Sequence, residues 1–205
     1  MDRRTSLQWM LAASATVPMA DASAKPVAKS GAAGGIGSDP DMVRKYKSGE
    51  LWPLSFTERE RRCASALCAL IIPADEGSPS AADLHVEVFI DEWISAPYED
   101  QKKDRATILK GLAWLDAESE KRFSKVFAAA SVEQQSQIAD GICSPVPAGS
   151  ALSDAVKFFA RFRDLTAGGF YTTPEGMKDV GFVGNTPSVT FDGPPLAVLK
   201  LVGVS

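Results

Sequence analysis

Few side chains in this sequence could do chemistry. It holds one histidine, His85, and three cysteines, Cys63, Cys68 and Cys143. A single imidazole excludes multi-histidine metal sites and the H-E-x-x-H arrangement. A Ser-His-Asp or Cys-His grouping would have to use His85, and no nucleophile elbow lies near it. His85 therefore reads as a surface or interface histidine. The cysteines form no C-x-x-C pair, which excludes a zinc knuckle and a c-type haem attachment. Cys63 and Cys68 stand about 140° apart around a predicted helix, so they should not bond each other. Two readings stay open: a disulfide from Cys143 to Cys63 or Cys68, and buried free thiols.

Carboxylates come in adjacent couples: Asp75-Glu76, Asp91-Glu92 and Glu99-Asp100. Each reads as a helix end or a solvated face, and nothing selects an acid–base pair among them. Gly34, Gly35 and Gly37 have no strand before them and no helix with a phosphate-binding lysine after them, so they are not a nucleotide loop. The expectation is a chain with no catalytic, cofactor-binding or metal-binding residues of its own.

The elements that position these groups follow from periodicity. Thr57 and Glu60 have capping-box spacing, and Ala64, Leu67, Cys68 and Ile71 repeat at helical period until Pro73. A second helix puts Val86, Phe89, Ile90 and Trp93 on one face and stops before Pro97. A third, over 99–123, aligns Ile108, Leu112, Leu115 and Phe123. A fourth covers about 131–141 and closes at Gly141, and a fifth covers about 151–166 with a wide apolar arc. Pro174 could start one more short helix. From Gly181 to Pro195 the chain is rich in Gly and Pro and should be irregular. The class is all-α: a single domain of about five to six helices, with an extended N-terminal arm and an irregular Gly/Pro-rich tail.

With 205 residues the chain can build a real core. A net charge of -4 and a pI near 5.1 argue against nucleic acid as a partner. The first residues carry an address. Arg3-Arg4 precede a modestly apolar run from Trp9 to Ala20, which is too short to span a bilayer. Ala22-Ser23-Ala24 gives a cleavage site. The adjacent arginines indicate the twin-arginine route to the periplasm, which carries folded proteins. A general secretory signal and a plain tail are the alternatives, and Ser6 stands where a large apolar residue is usual. Residues 1–24 thus read as the signal, 25–54 as linker and arm, and 55–205 as the helical domain. No stretch is long enough for a membrane span of its own.

Some aromatics are oddly placed. Trp93 belongs to its helix's apolar stripe. Trp114 stands about 100–160° from Ile108, Leu112 and Leu115, among Lys103, Lys110, Glu118 and Lys121. Either another part of the chain covers it or it contacts a partner. Trp52, Phe170 and Tyr171 sit at element ends, and Phe191 lies in the tail; these join Trp114 as interface candidates. Arg163 falls on the apolar angle of Leu152, Val156 and Phe159, where it should snorkel or pair with a carboxylate.

Four strings in order resemble the gluconate 2-dehydrogenase subunit 3 family: Ile71-Ile72-Pro73-Ala74-Asp75-Glu76 with Ser78-Pro79, Val88-Phe89-Ile90-Asp91, Gly111-Leu112-Ala113-Trp114-Leu115, and Phe170-Tyr171-Thr172-Thr173-Pro174-Glu175-Gly176. The resemblance implies a small helical subunit bound to a large FAD-dependent dehydrogenase subunit of the glucose-methanol-choline type, often with a cytochrome c. The flavin and the catalytic residues would then lie in the large subunit. With the Arg3-Arg4 signal, this points to an accessory role: stabilising that flavoprotein and escorting it through export. A free-standing periplasmic enzyme and a small-ligand binding module are the alternative readings. Turnover by the lone chain, or its thermal stabilisation by a ligand, would mark them.

Overall fold

The computed structural model describes residues 46–147, 149–182, 184, 190 and 193–204. Arg3, Arg4, the signal, most of the linker and Phe191 lie outside these residues. Among the described residues the regular structure is helical throughout. The helices are α1 (Glu58–Ile71), α2 (Val86–Ser95), α3 (Glu99–Phe123), α4 (Val132–Asp140), α5 (Ser153–Tyr171), α6 (Pro174–Asp179) and α7 (Leu196–Leu201), with a 3-10 turn at Phe127–Ala129.

Local chemistry sets most boundaries. Thr57 Oγ1 accepts the Glu60 amide and the Glu60 carboxylate accepts the Thr57 amide, a complete capping box. Ser131 and Gln134 repeat the device at α4. Thr173 caps α6, whose first residue is Pro174. The end of α2 is closed from another helix: Arg105 of α3 donates to Ile94 O at 2.6 Å and to Ser95 O at 2.7 Å. A cation at a helix C-terminus satisfies orphan carbonyls and opposes the negative end of the dipole.

The long helix α3 packs against α1, α2, α4 and α5, and α5 also contacts α1, α2 and α6. Phe127, Phe158, Phe159, Phe162 and Phe170 are the largest fully buried side chains. Each contributes about 1.5–3 kcal/mol through burial. Buried polar groups tie the elements together. Asp116 of α3 accepts Arg59 Nε of α1 at 2.5 Å and the Phe127 amide at 3.0 Å. Gln135 of α4 donates to Phe127 O at 2.9 Å.

Several expectations need correction. Helix α5 does not stop near residue 166 but runs through Gly168-Gly169 to Tyr171. Tertiary contact overrides the helix-breaking tendency of glycine here. A Cβ on Gly169 would sit 2.7 Å from Phe89 Cδ1 and 2.8 Å from Val86 Cγ1, so the missing side chain lets α2 approach. Phe89, placed by periodicity on a buried face, is exposed, although its ring comes against Gly169 of α5. Helix α7 forms just beyond the Gly/Pro-rich stretch from Gly181 to Pro195, where the periodicity reading placed no element. Asp91 is no solvated carboxylate; it is 1% exposed. The disulfide is not formed, and all three cysteines are free thiols. Cys63 Sγ faces Leu112 O at 3.9 Å, Cys68 Sγ meets Thr166 Oγ1 at 3.8 Å, and Cys143 Sγ donates to Asp140 O at 3.4 Å. The Cys63 and Cys68 side chains point into different helix contacts, as their angular separation requires.

Candidate partner-binding surfaces

The arm before α1 is stitched to α2. The Asp91 Oδ1 atom accepts the Ser55 amide at 2.8 Å, the Phe56 amide at 3.0 Å and the Ser95 hydroxyl at 3.3 Å, while Arg61 Nη2 lies 3.4 Å from Oδ2. Glu92 accepts the Gly49 amide through its carboxylate and Trp52 Nε1 through its carbonyl, the latter at 3.1 Å. The Trp52 ring meets Tyr98 edge-on with centroids 6.3 Å apart. Trp52 is therefore half-buried within its own chain, and the exposed neighbours are Leu51 and Tyr98. The sequence holds only a weak signal for this clasp: Asp91 follows the apolar run Val88-Phe89-Ile90 and shares its helix's inner side with Ser95, one turn on.

Trp114 lines a groove of about 410 Å³ between α3 and the start of α5. Gly111 lies beside it, and Lys110 and Asp154 close one side through an ion pair of 2.6 Å. The indole is half-buried and rests on the core cluster. Ala151 and Ala155 of this chain line the groove with it. The groove is open, and Lys110, Asp154 and Lys157 line it together with alanines and the indole.

Among the described residues, most of the exposed large hydrophobic side chains follow α5. Pro174, Met177, Gly181 and Phe182 line a shallow hollow of about 540 Å³. Val180 and Phe182 are exposed, and α7 buries none of its residues. Phe170, expected at an interface, is instead fully buried, while Tyr171 is half-buried and stacks on it edge-on at 5.0 Å. The longer α5 is the reason: it turns Phe170 inward.

The chemistry-bearing groups are used in structure. His85 has a left-handed backbone, φ 53°, at the start of α2, a conformation histidine adopts more readily than most residues. Its side chain is largely exposed, and Nδ1 lies 3.2 Å from the buried Glu87 carboxylate. Burial, then the nearby Asp116, push the Cys63 thiol up; burial also pushes up Cys68. Neither is a ready nucleophile at neutral pH. Asp104 accepts Arg161 through both carboxylate oxygens, at 2.8 and 2.5 Å, and Trp93 Nε1 at 2.7 Å. Burial acts to raise the Asp104 pKa, but the bonds from Arg161 and Trp93 outweigh it and hold the carboxyl below its ordinary value. Arg163 is buried and reaches Asp164 at 3.0 Å, the pairing its apolar position called for. Sequence reading missed the Asp104–Arg161–Trp93 cluster because its members are far apart in the chain. Among the described residues no group of three or more His, Cys, Asp or Glu could hold a metal ion. In the same residues, no helix is long and apolar enough to cross a membrane.

What the arrangement offers is contact surface: an anchored arm, a tryptophan groove and an apolar C-terminal region. The model of the family described as gluconate 2-dehydrogenase subunit 3 matches residues 58–193, from the first residue of α1 to just before α7. Neither the curated proteins nor the solved structures yield a match. With that match spanning the helical body and its ordered landmarks, this chain belongs to the gluconate 2-dehydrogenase subunit 3 family.

Proposed function

We propose that this chain is the non-catalytic small subunit of a periplasmic, FAD-dependent sugar dehydrogenase. It stabilises the large flavoprotein subunit and escorts it through twin-arginine export. The family match carries the reading, since the family is one of dehydrogenase subunits. Arg3-Arg4 ahead of a short apolar run supports the escort role. A flavoprotein must fold around its cofactor before export, and one without its own signal can leave only on a folded partner that has one. FAD and the reacting groups belong to the large subunit in this scheme, with a cytochrome c as a further partner for its electrons.

The test is co-expression with the large dehydrogenase subunit from the adjacent reading frame. Replacing Arg3 and Arg4 with Lys should leave the large subunit in the cytoplasm. Unchanged delivery of flavin-loaded large subunit to the periplasm would remove the escort role. Turnover by the purified small chain alone would remove the non-catalytic one.

A further inference from the structure

Three tryptophans lie among the described residues. Trp52 Nε1 donates to Glu92 O and Trp93 Nε1 to the Asp104 carboxylate, but Trp114 Nε1 meets no acceptor among the described residues. Nor is it sealed off as a buried, unpaired group. An indole N–H finds an acceptor when buried. This one is open to solvent, on a ring that lines the groove between α3 and α5. Packing explains the rest of the local string: Gly111 lies against Phe158, and Leu112 and Leu115 are buried. It does not explain a half-buried indole with an open donor.

The charges at the groove are unbalanced. Lys110 is paired with Asp154 at 2.6 Å, while Lys157 has no carboxylate within ion-pair distance among the described residues. Two ammonium groups against one carboxylate leave the groove net positive, on a chain whose net charge is -4. A complementary occupant is therefore acidic, with an apolar part to lie against Ala151, Ala155 and the indole. A two-fold contact with a second copy would set one net-positive groove against another. A small ligand would lie in an open groove, whereas small-molecule sites enclose most of the ligand. Both walls, α3 and α5, fall inside the family match at residues 58–193, so the groove belongs to the subunit body itself. We propose that the Trp114 groove is a docking socket for the dehydrogenase subunit: an apolar side chain of that subunit packs between α3 and α5, and a neighbouring carboxylate accepts the Trp114 N–H and pairs with Lys157. This rests on the reading of the chain as a subunit bound to that dehydrogenase.

The experiment titrates the tagged dehydrogenase subunit with the full chain and with its Trp114→Phe, Lys157→Glu and Lys125→Glu variants. Lys125 is exposed and lies outside the groove, so its variant carries the same charge change as a control. The unfolding temperature of each chain alone is measured beside its affinity. The expected result is that Trp114→Phe and Lys157→Glu each bind about tenfold more weakly or worse, while Lys125→Glu binds as the parent does. Added salt should weaken the parent more than Lys157→Glu. Lys157 is exposed, so Lys157→Glu should keep the parent's unfolding temperature, and it tests the docking even where Trp114→Phe lowers that temperature. If the parent chain itself fails to bind, the accessory-subunit reading falls and the docking proposal with it. If the parent binds and Trp114→Phe and Lys157→Glu bind equally well, the docking proposal falls by itself. Equal weakening by Lys125→Glu would also overturn it, since the charge effect would not then belong to the groove. So would a dimer of the isolated chain that Lys157→Glu dissociates, or benzoate binding to the isolated chain that Trp114→Phe abolishes while the complex persists unchanged.

Discussion

Gly111 of α3 faces the ring of Phe158 on α5 so closely that a Cβ at Gly111 would lie 1.9 Å from Phe158 Cγ. The two helices meet there with no room for a methyl group, and the Trp114 groove opens beside the contact.

Gly111→Ala should therefore destabilise the chain. Alanine favours the helix by about 1 kcal/mol, but forcing the Phe158 ring or the helices apart costs more, typically about 1–3 kcal/mol for overpacking. Chemical denaturation should show a lower midpoint with an unchanged slope. A stabilised variant would mean that α3 and α5 are not in this contact.

Asp91→Ala should release the arm. The substitution strands the Ser55 and Phe56 amides and leaves Arg61 without its buried carboxylate. Removing one partner from buried polar groups costs about 1–3 kcal/mol or more. Limited proteolysis should cut the variant between residues 46 and 56 much faster than the parent. Equal cutting rates would show that Asp91 does not hold the arm.

The Asp104 carboxyl, held below its ordinary value, makes a pH prediction. A depressed folded pKa contributes stability above the unfolded value near about 3.9, and this is lost as pH falls through the folded value. Unfolding temperature should fall as the solution is acidified below about pH 4. Asp104→Asn should flatten that decline while lowering stability at neutral pH. A variant as steep as the parent would show that Arg161 does not favour the ionised form.

Thiol labelling should separate the cysteines. Cys143 is partly accessible, whereas Cys63 and Cys68 are buried with raised pKa values. Iodoacetamide at mildly alkaline pH should modify Cys143 in the folded chain and reach Cys63 and Cys68 only in denaturant, as read by peptide mass spectrometry. Modification of Cys68 at the rate of Cys143 would contradict its burial beside Thr166.

Sequence alone determined every helix but α7, and most of their ends, because caps and periodicity act over a few residues. The Thr57 capping box, the stop before Pro97, the span of α3 and the start at Pro174 all belong to that local scale. It also carried the family, through landmarks spread along the body. Tertiary structure decided what local signals could not. Helix α5 continues through a glycine pair because α2 packs where side chains would have stood, and that extension buries Phe170. Asp91 is buried because the arm folds back to give it amides from residues 35 and 36 positions away. Asp104 and Arg161 meet across 57 residues of chain, a distance that no periodicity spans. Spacing can name the faces of a helix; only packing decides which face is covered, and by what.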